Sequence, residues 1–161
     1  FGFANARQEW DLTLPGDQDL DLEIDANAAS SRLDLEGGSL SRLSLDANAG
    51  DVRLTLDGAT IDRADVSANA GSLSVTVDAD TSFDGSFGMN AGSLKLCAAE
   101  GTNIEITVSD TNITFSHNLD DSGLSRSGDT WRSGAGTPDV RVSVEGNAAS
   151  FTYNPDGGCS S

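Results

Sequence analysis

Apolar residues alternate with polar ones along most of the chain, and the alternating stretches return at a fixed interval. Leu22-Glu23-Ile24-Asp25 and Val52-Arg53-Leu54-Thr55-Leu56 show the two-residue period. That period is the mark of a strand with one buried face, because successive side chains of extended backbone point to opposite sides. Apolar residues do not recur at three and four, so a helical reading fails. The larger interval is set by the tripeptide Asn-Ala-Gly/Ala, which begins at Asn27, Asn48, Asn69 and Asn90, each 21 residues after the last, and again at Asn147. The flanks keep the same spacing. Leu22, Leu43, Ala64, Gly85 and Ile106 form one column, and Ile24, Leu45, Val66, Phe87 and Val108 the next. Beyond the asparagine come Ser31, Val52, Leu73, Leu94 and Phe115, then Leu33, Leu54, Val75 and Leu96, then Leu35, Leu56, Val77 and Ala98.

Each repeat therefore reads as strand, tight turn, strand, longer turn. One repeat cannot bury its own apolar face, whereas stacked repeats bury continuous columns. The pattern predicts an all-β, single-domain β-solenoid, β-helix-like, of about 21-residue coils with capping ends. Residues 1–21 read as a first capping coil, with Trp10-Asp11-Leu12-Thr13-Leu14 one period before Leu33 and Leu35. Residues 22–116 read as regular coils. The interval from Asn90 to Asn147 exceeds two periods, and the surplus falls in a stretch rich in Ser, Gly and Asp. Residues 117–139 are accordingly an excursion, with a hairpin expected around Ser127-Gly128-Asp129-Thr130, and residues 140–161 the last coil and tail.

Composition narrows the chemistry. The chain has 161 residues, 26 acidic against 9 basic, and a formal net charge of -17. Such a surface repels phosphate at long range, which argues against nucleic acid, and it lacks the basic cluster that docks on anionic membranes. No window reaches the length of a membrane-spanning helix. The start, Phe1-Gly2-Phe3-Ala4, has no charged region followed by an apolar run and no initiating Met, which favours a mature or trimmed piece of a longer protein.

The stacked asparagines Asn27, Asn48, Asn69, Asn90 and Asn147 read as a structural turn ladder, amide to amide from coil to coil. Cys97 and Cys159 are candidates for one disulfide that ties down the tail; the alternative is two free thiols, and neither has metal-ligand spacing. His117, the one histidine, has no nucleophile motif near it. Asp19, Asp21, Glu23 and Asp25 line one strand as an outward acidic row without the sequence of a calcium loop. No catalytic residue, metal ligand or cofactor is assigned. Trp131 in the excursion, with Arg126 and Arg132, is the candidate contact for a partner; the alternative is a flap whose Trp covers the open end of the core.

The repeated Asn-Ala-Gly turns, Ala91-Gly92-Ser93-Leu94-Lys95-Leu96-Cys97, Gly128-Asp129-Thr130-Trp131 and Val140-Arg141-Val142-Ser143-Val144 resemble the bacterial toast-rack group. That group comprises putative adhesin domains and the C-terminal domains of LiaF-like cell-wall-active antibiotic response proteins. The resemblance implies an extracytoplasmic domain tethered by preceding membrane helices, engaged in sensing or modulating envelope stress, with no catalytic residues. Ala29 and Ala149 depart from the commoner glycine, which bears on turn geometry there.

These readings together give a non-catalytic binding or sensory module at the cell surface, whose partner is a protein or a cell-envelope polymer. The alternative is a surface scaffold or adhesin that self-associates through its coils into a homo-oligomer. A polysaccharide lyase would need clustered basic and acidic groups on one outer face, yet Arg32, Arg53 and Lys95 share a column interrupted by Ser74. Ice binding would need unbroken Thr rows, and Thr55 and Thr76 are flanked by Asp34 and Cys97.

Overall fold

The computed structural model describes residues 20–27, 30–109 and 114–159. Most of them lie in strands: β1 (Leu20–Ala26), β2 (Ser31–Asp34), β3 (Ser39–Ala47), β4 (Asp51–Thr55), β5 (Thr60–Ala68), β6 (Ser72–Val77), β7 (Ser82–Ala98), β8 (Ile104–Ser109), β9 (Ser116–His117), β10 (Ser125–Ser127), β11 (Thr130–Arg132) and β12 (Val140–Tyr153). A single 3-10 turn, Leu119–Asp121, follows β9. The first capping coil expected over residues 1–21 lies outside the described residues except for its last two.

The strands form two parallel ladders. One runs β1-β3-β5-β7-β12-β8, and the other runs β2-β4-β6 to the second half of β7. β7 and β12 are long enough to serve both ladders in one continuous strand. Coil-to-coil register in the first four coils is the 21-residue interval: Leu22 pairs with Leu43, Leu43 with Ala64, and Ala64 with Gly85. Leu33, Leu54, Val75 and Leu96 lie in one file, and Tyr153 continues it. The fold is the β-solenoid that the periodicity predicts.

Why the chain stacks this way follows from burial. Leu43, Leu45, Leu54, Val75 and Leu96 are essentially inaccessible. Each such side chain contributes on the order of 1.5–3 kcal/mol on leaving water. The first column shrinks from leucine to Ala64 to Gly85 because the Phe83 and Phe87 rings, packed edge to face at 6.2 Å, occupy the space. A Cβ on Gly85 would lie 2.5 Å from the Phe83 ring. In β5 the alternation slips at Asp62 and Arg63, both exposed, where the register with β7 shifts. The extra residue there offsets the longer turn Asp78–Thr81, so that later pairs return to the 21-residue spacing.

One expectation is corrected. Sequence order places β8 directly on β7, with Ile106 after Gly85 and Phe115 after Leu94. Instead β12 lies between them: Val142 faces Gly85 on one side and Ile106 on the other, and Phe151 takes the place against Leu94. The coil nearest the C-terminus is therefore an inner layer, and the coil containing β8 is stacked outside it. Phe115 sits over Gly146, where a Cβ would come within 2.4 Å of its ring. The physical reason is end protection. β8, buried by β12 on one side, is covered on the other by antiparallel β11, which is paired in turn with β10. The excursion thus finishes the sheet with a hairpin, while the apolar Val140, Val142 and Val144 go to the interior.

Candidate functional site

The Asn-Ala-Gly turns are built by close approach of successive backbones. Gly50, Gly71 and Gly92 have φ of 117°, 116° and 122°, and a Cβ on Gly71 would lie 1.9 Å from the Gly50 carbonyl oxygen. Glycine is needed here both for the left-handed backbone and for contact. Ala149, in register with Gly92, does not share the positive φ, so the turn changes shape in the β12 layer. Ala29 lies outside the described residues. Beside these turns the asparagines bond in sequence. Asn48 donates to Asn27, Asn69 to Asn48 at 2.7 Å, Asn90 to Asn69 at 2.7 Å and Asn147 to Asn90 at 2.8 Å. Asn48, Asn69 and Asn90 use both the donor and the acceptor of their amides along the axis of the stack, which is structural work.

Cys97 and Cys159 are joined by a disulfide with Cα atoms 5.9 Å apart. The bond fastens the tail across the outer side of the second ladder, where the Cys159 sulfur lies 3.7 Å from the Val75 carbonyl oxygen. Asn154 prepares this path: its side-chain oxygen accepts from Ala98 N–H at 2.7 Å and its own N–H donates to Leu96 at 2.9 Å.

The excursion does not present its tryptophan to solvent. Trp131 is 2% exposed, which fits the flap over the open end of the core and not a ring offered to a partner. Its ring meets His117 at 5.0 Å, edge to face. The indole N–H donates to Asp120 at 3.2 Å. Arg126 covers the ring at 4.7 Å and pairs with the same carboxylate at 3.0 Å. Arg132 is paired with Glu105 on the neighbouring strand. The three residues belong together as a plug over the end of the core, because a large apolar ring with one polar atom stabilises most where the ring is dry and the N–H is matched.

The turns that join one ladder to the next coil carry acids. Asp78 accepts from Thr81 hydroxyl at 2.7 Å, Gly58 N–H at 2.8 Å and Asp80 N–H at 3.1 Å. The Thr81 hydroxyl first, and then the Gly58 amide, hold its carboxyl below the usual range. Asp57 is pushed the other way, by burial and then by the negative charges of Asp78, Glu36 and Asp34. One of its oxygens has no hydrogen-bond partner among the described residues. Among the described residues no group of three or more His, Cys, Asp or Glu is arranged to hold a metal ion, and no helix is long and apolar enough to cross a membrane.

Sequence reasoning singled out Arg32, Arg53 and Lys95 only as an interrupted column. The structure sets Arg32, Arg53, Ser74, Lys95 and Thr152 side by side across five strands. Arg32, Arg53, Thr55, Ser74 and Thr76 line a shallow groove that Cys159 closes at one edge.

A stack of coils with an apolar interior, polar outer faces and a disulfide-fastened tail defines a β-solenoid domain. Residues 1–78, just under half of the 161-residue chain, match the family described as the N-terminal domain of toast_rack, DUF2154, a match that supports a toast-rack domain here. No curated protein and no solved structure matches it.

Proposed function

We propose that the protein is a non-catalytic extracytoplasmic module that binds or senses a component of the bacterial envelope, held at the membrane by a segment outside this chain. The observation that carries this reading is the pairing of both cysteines in one disulfide, since such bonds persist in oxidising compartments and are rare in the cytosol. The toast-rack match supports the same setting. The outer faces support contact more than catalysis: their columns are hydroxyls, amides, carboxylates and, in one column, basic groups, repeated at the strand spacing of about 4.8 Å, a surface suited to an extended partner.

The test is made in cells that produce the protein. Thiols trapped by acid and then labelled with a bulky maleimide are expected to be absent until reductant is added. Protease supplied to intact spheroplasts is expected to degrade the domain. Immediate labelling of both cysteines, together with protection from protease, would overturn the reading.

A further inference from the structure

The outer side of the second ladder carries a charge pattern opposite to that of the whole chain. Arg32 and Arg53 are exposed and Lys95 is half-exposed. None of the three forms an ion pair among the described residues, whereas Arg42, Arg63, Arg126 and Arg132 each have one. With 26 acids against 9 bases, a carboxylate partner is readily at hand in this chain; Arg141 also has no ion pair among the described residues but stands singly, so what is specific is three such cations in one column.

The groove beside Arg32 and Arg53 is lined by these two residues and by the Thr55, Ser74 and Thr76 hydroxyls, with Leu54 and Cys159. Ser74, 9% exposed, stands in register between Arg53 and Lys95, which lies past the groove's edge. No carboxylate lines it. The acids on the same face are engaged elsewhere: Asp34 accepts from Glu36 N–H at 3.3 Å and Asp51 from the Ser72 hydroxyl.

We infer that this column is a track for the phosphodiester groups of a flexible polyol-phosphate chain. A planar carboxylate is satisfied by a single guanidinium fork. A tetrahedral phosphoryl group directs oxygens out of that plane and can meet the groove's guanidiniums and hydroxyls together. From Arg32 to Lys95 is three strand spacings, roughly 14 Å, longer than one oxyanion, so Lys95 engages a second anion on the same chain. The columns of this face, Arg32-Arg53-Ser74-Lys95-Thr152, Asp34-Thr55-Thr76-Cys97 and Asp51-Ser72-Ser93-Ser150, contain no aromatic ring on which nucleobases could stack. The carboxylates of the other ladder act weakly here, because the screening length at physiological salt is about 8 Å.

The inference rests on the proposed envelope setting only for where the polymer is met. Its test is therefore made on the purified protein at fixed, near-physiological ionic strength, by backbone amide shifts. The probes are a glycerol-phosphate oligomer, inorganic phosphate, oligoglutamate and oligothymidylate. The oligomer is expected to give saturable shifts at Arg32, Arg53, Ser74 and Lys95. Arg53→Gln is expected to weaken it by about tenfold, the worth of one charge-assisted pair. Lys95→Gln is expected to weaken the oligomer and leave inorganic phosphate unchanged. Arg42→Gln, on the other ladder, is expected to change neither. The absence of saturable shifts, equal binding of oligoglutamate or oligothymidylate, or indifference to Arg53→Gln would each overturn it. Failure here with the disulfide intact in cells removes the track alone, and binding with both thiols free in cells removes the envelope setting alone.

Discussion

Asn147 donates its side-chain amide to Asn90 across 2.8 Å and 57 residues of sequence, whereas Asn90 reaches Asn69 at 2.7 Å across 21. Asn90 is thus an inner rung, bonded on both sides, and Asn27 an end rung with one such bond among the described residues. Each net bond contributes about 0.5–1.5 kcal/mol. Asn90→Ala is expected to cost about 1–3 kcal/mol in urea unfolding, and Asn27→Ala about half as much. Equal losses would show that the rungs act independently of their neighbours.

Glycine at the turn is a sharper constraint than the amide beside it. Gly71→Ala places a methyl 1.9 Å from the Gly50 oxygen, which already accepts from Ser72 N–H at 3.1 Å. Relief requires the two coils to separate, so a loss above about 3 kcal/mol is expected. Gly123 also has positive φ, 77°, but nothing lies within 4 Å of its added Cβ. Gly123→Ala is expected to cost about 1 kcal/mol, the backbone strain alone. Comparison of the two unfolding midpoints separates contact from conformation.

What the sequence made legible was the column, and what it hid was the order of the layers. Leu33, Leu54, Val75 and Leu96 stack because parallel pairing at constant register turns a sequence interval into a spatial file. The same logic says nothing about which file member is nearest, since Val142 and Ile106 are equally good apolar occupants beside Gly85. The long interval from Asn90 to Asn147 marked the excursion without showing that β12 would slip inside β8. Trp131 left two readings open for a related reason. A lone aromatic amid Ser, Gly and Asp can meet a partner or cover the core, and the flap is favoured once His117, Asp120 and Arg126 are seen to converge on it. The cationic column was visible as an interval, but pairing was not: Arg42 and Arg63 have the same 21-residue spacing and both reach Asp65.

If Trp131 is a plug, its removal should cost stability in proportion to buried area. Trp131→Ala is expected to destabilise by about 3–5 kcal/mol. Asp120→Ala, which removes the partner of both the indole N–H and Arg126, is expected to cost about 1–2 kcal/mol. A Trp131→Ala protein with an unchanged denaturation midpoint would show that the ring is dispensable to the core.

The Cys97–Cys159 bond closes a loop spanning 62 residues that contains the excursion and the whole of β12. Restricting the unfolded chain over that length is worth about 4 kcal/mol. The Cys97→Ser/Cys159→Ser double variant is expected to lose about that much in chemical unfolding. Protease cleavage near Asp156-Gly157 is expected to come first, because the bond holds the tail over Val75. Reduced wild-type protein should match the double variant; a large gap between them would locate the effect in side-chain packing instead of chain restriction.

Asp57 and Asp78 should give opposite pH dependences although they are neighbours in one stack of turns. The Asp57 carboxyl is raised, so its charged form is the disfavoured one when folded; the penalty is present at neutral pH and disappears as pH falls through its folded pKa. Asp57→Asn is therefore expected to stabilise at neutral pH, by no more than about 1 kcal/mol since the carboxyl is only partly buried, with the gain gone at pH values below the ordinary carboxylate range. Asp78 is lowered by the Thr81 hydroxyl and the Gly58 amide, so its charged form stabilises the fold. That contribution is present above the unfolded pKa and is lost as pH falls through the folded one. Asp78→Asn is expected to destabilise at neutral pH, with the difference narrowing in acid. Thermal unfolding of the two variants and wild type across the acid range checks both signs, and parallel curves for Asp57→Asn and Asp78→Asn would contradict the opposed electrostatics of these turns.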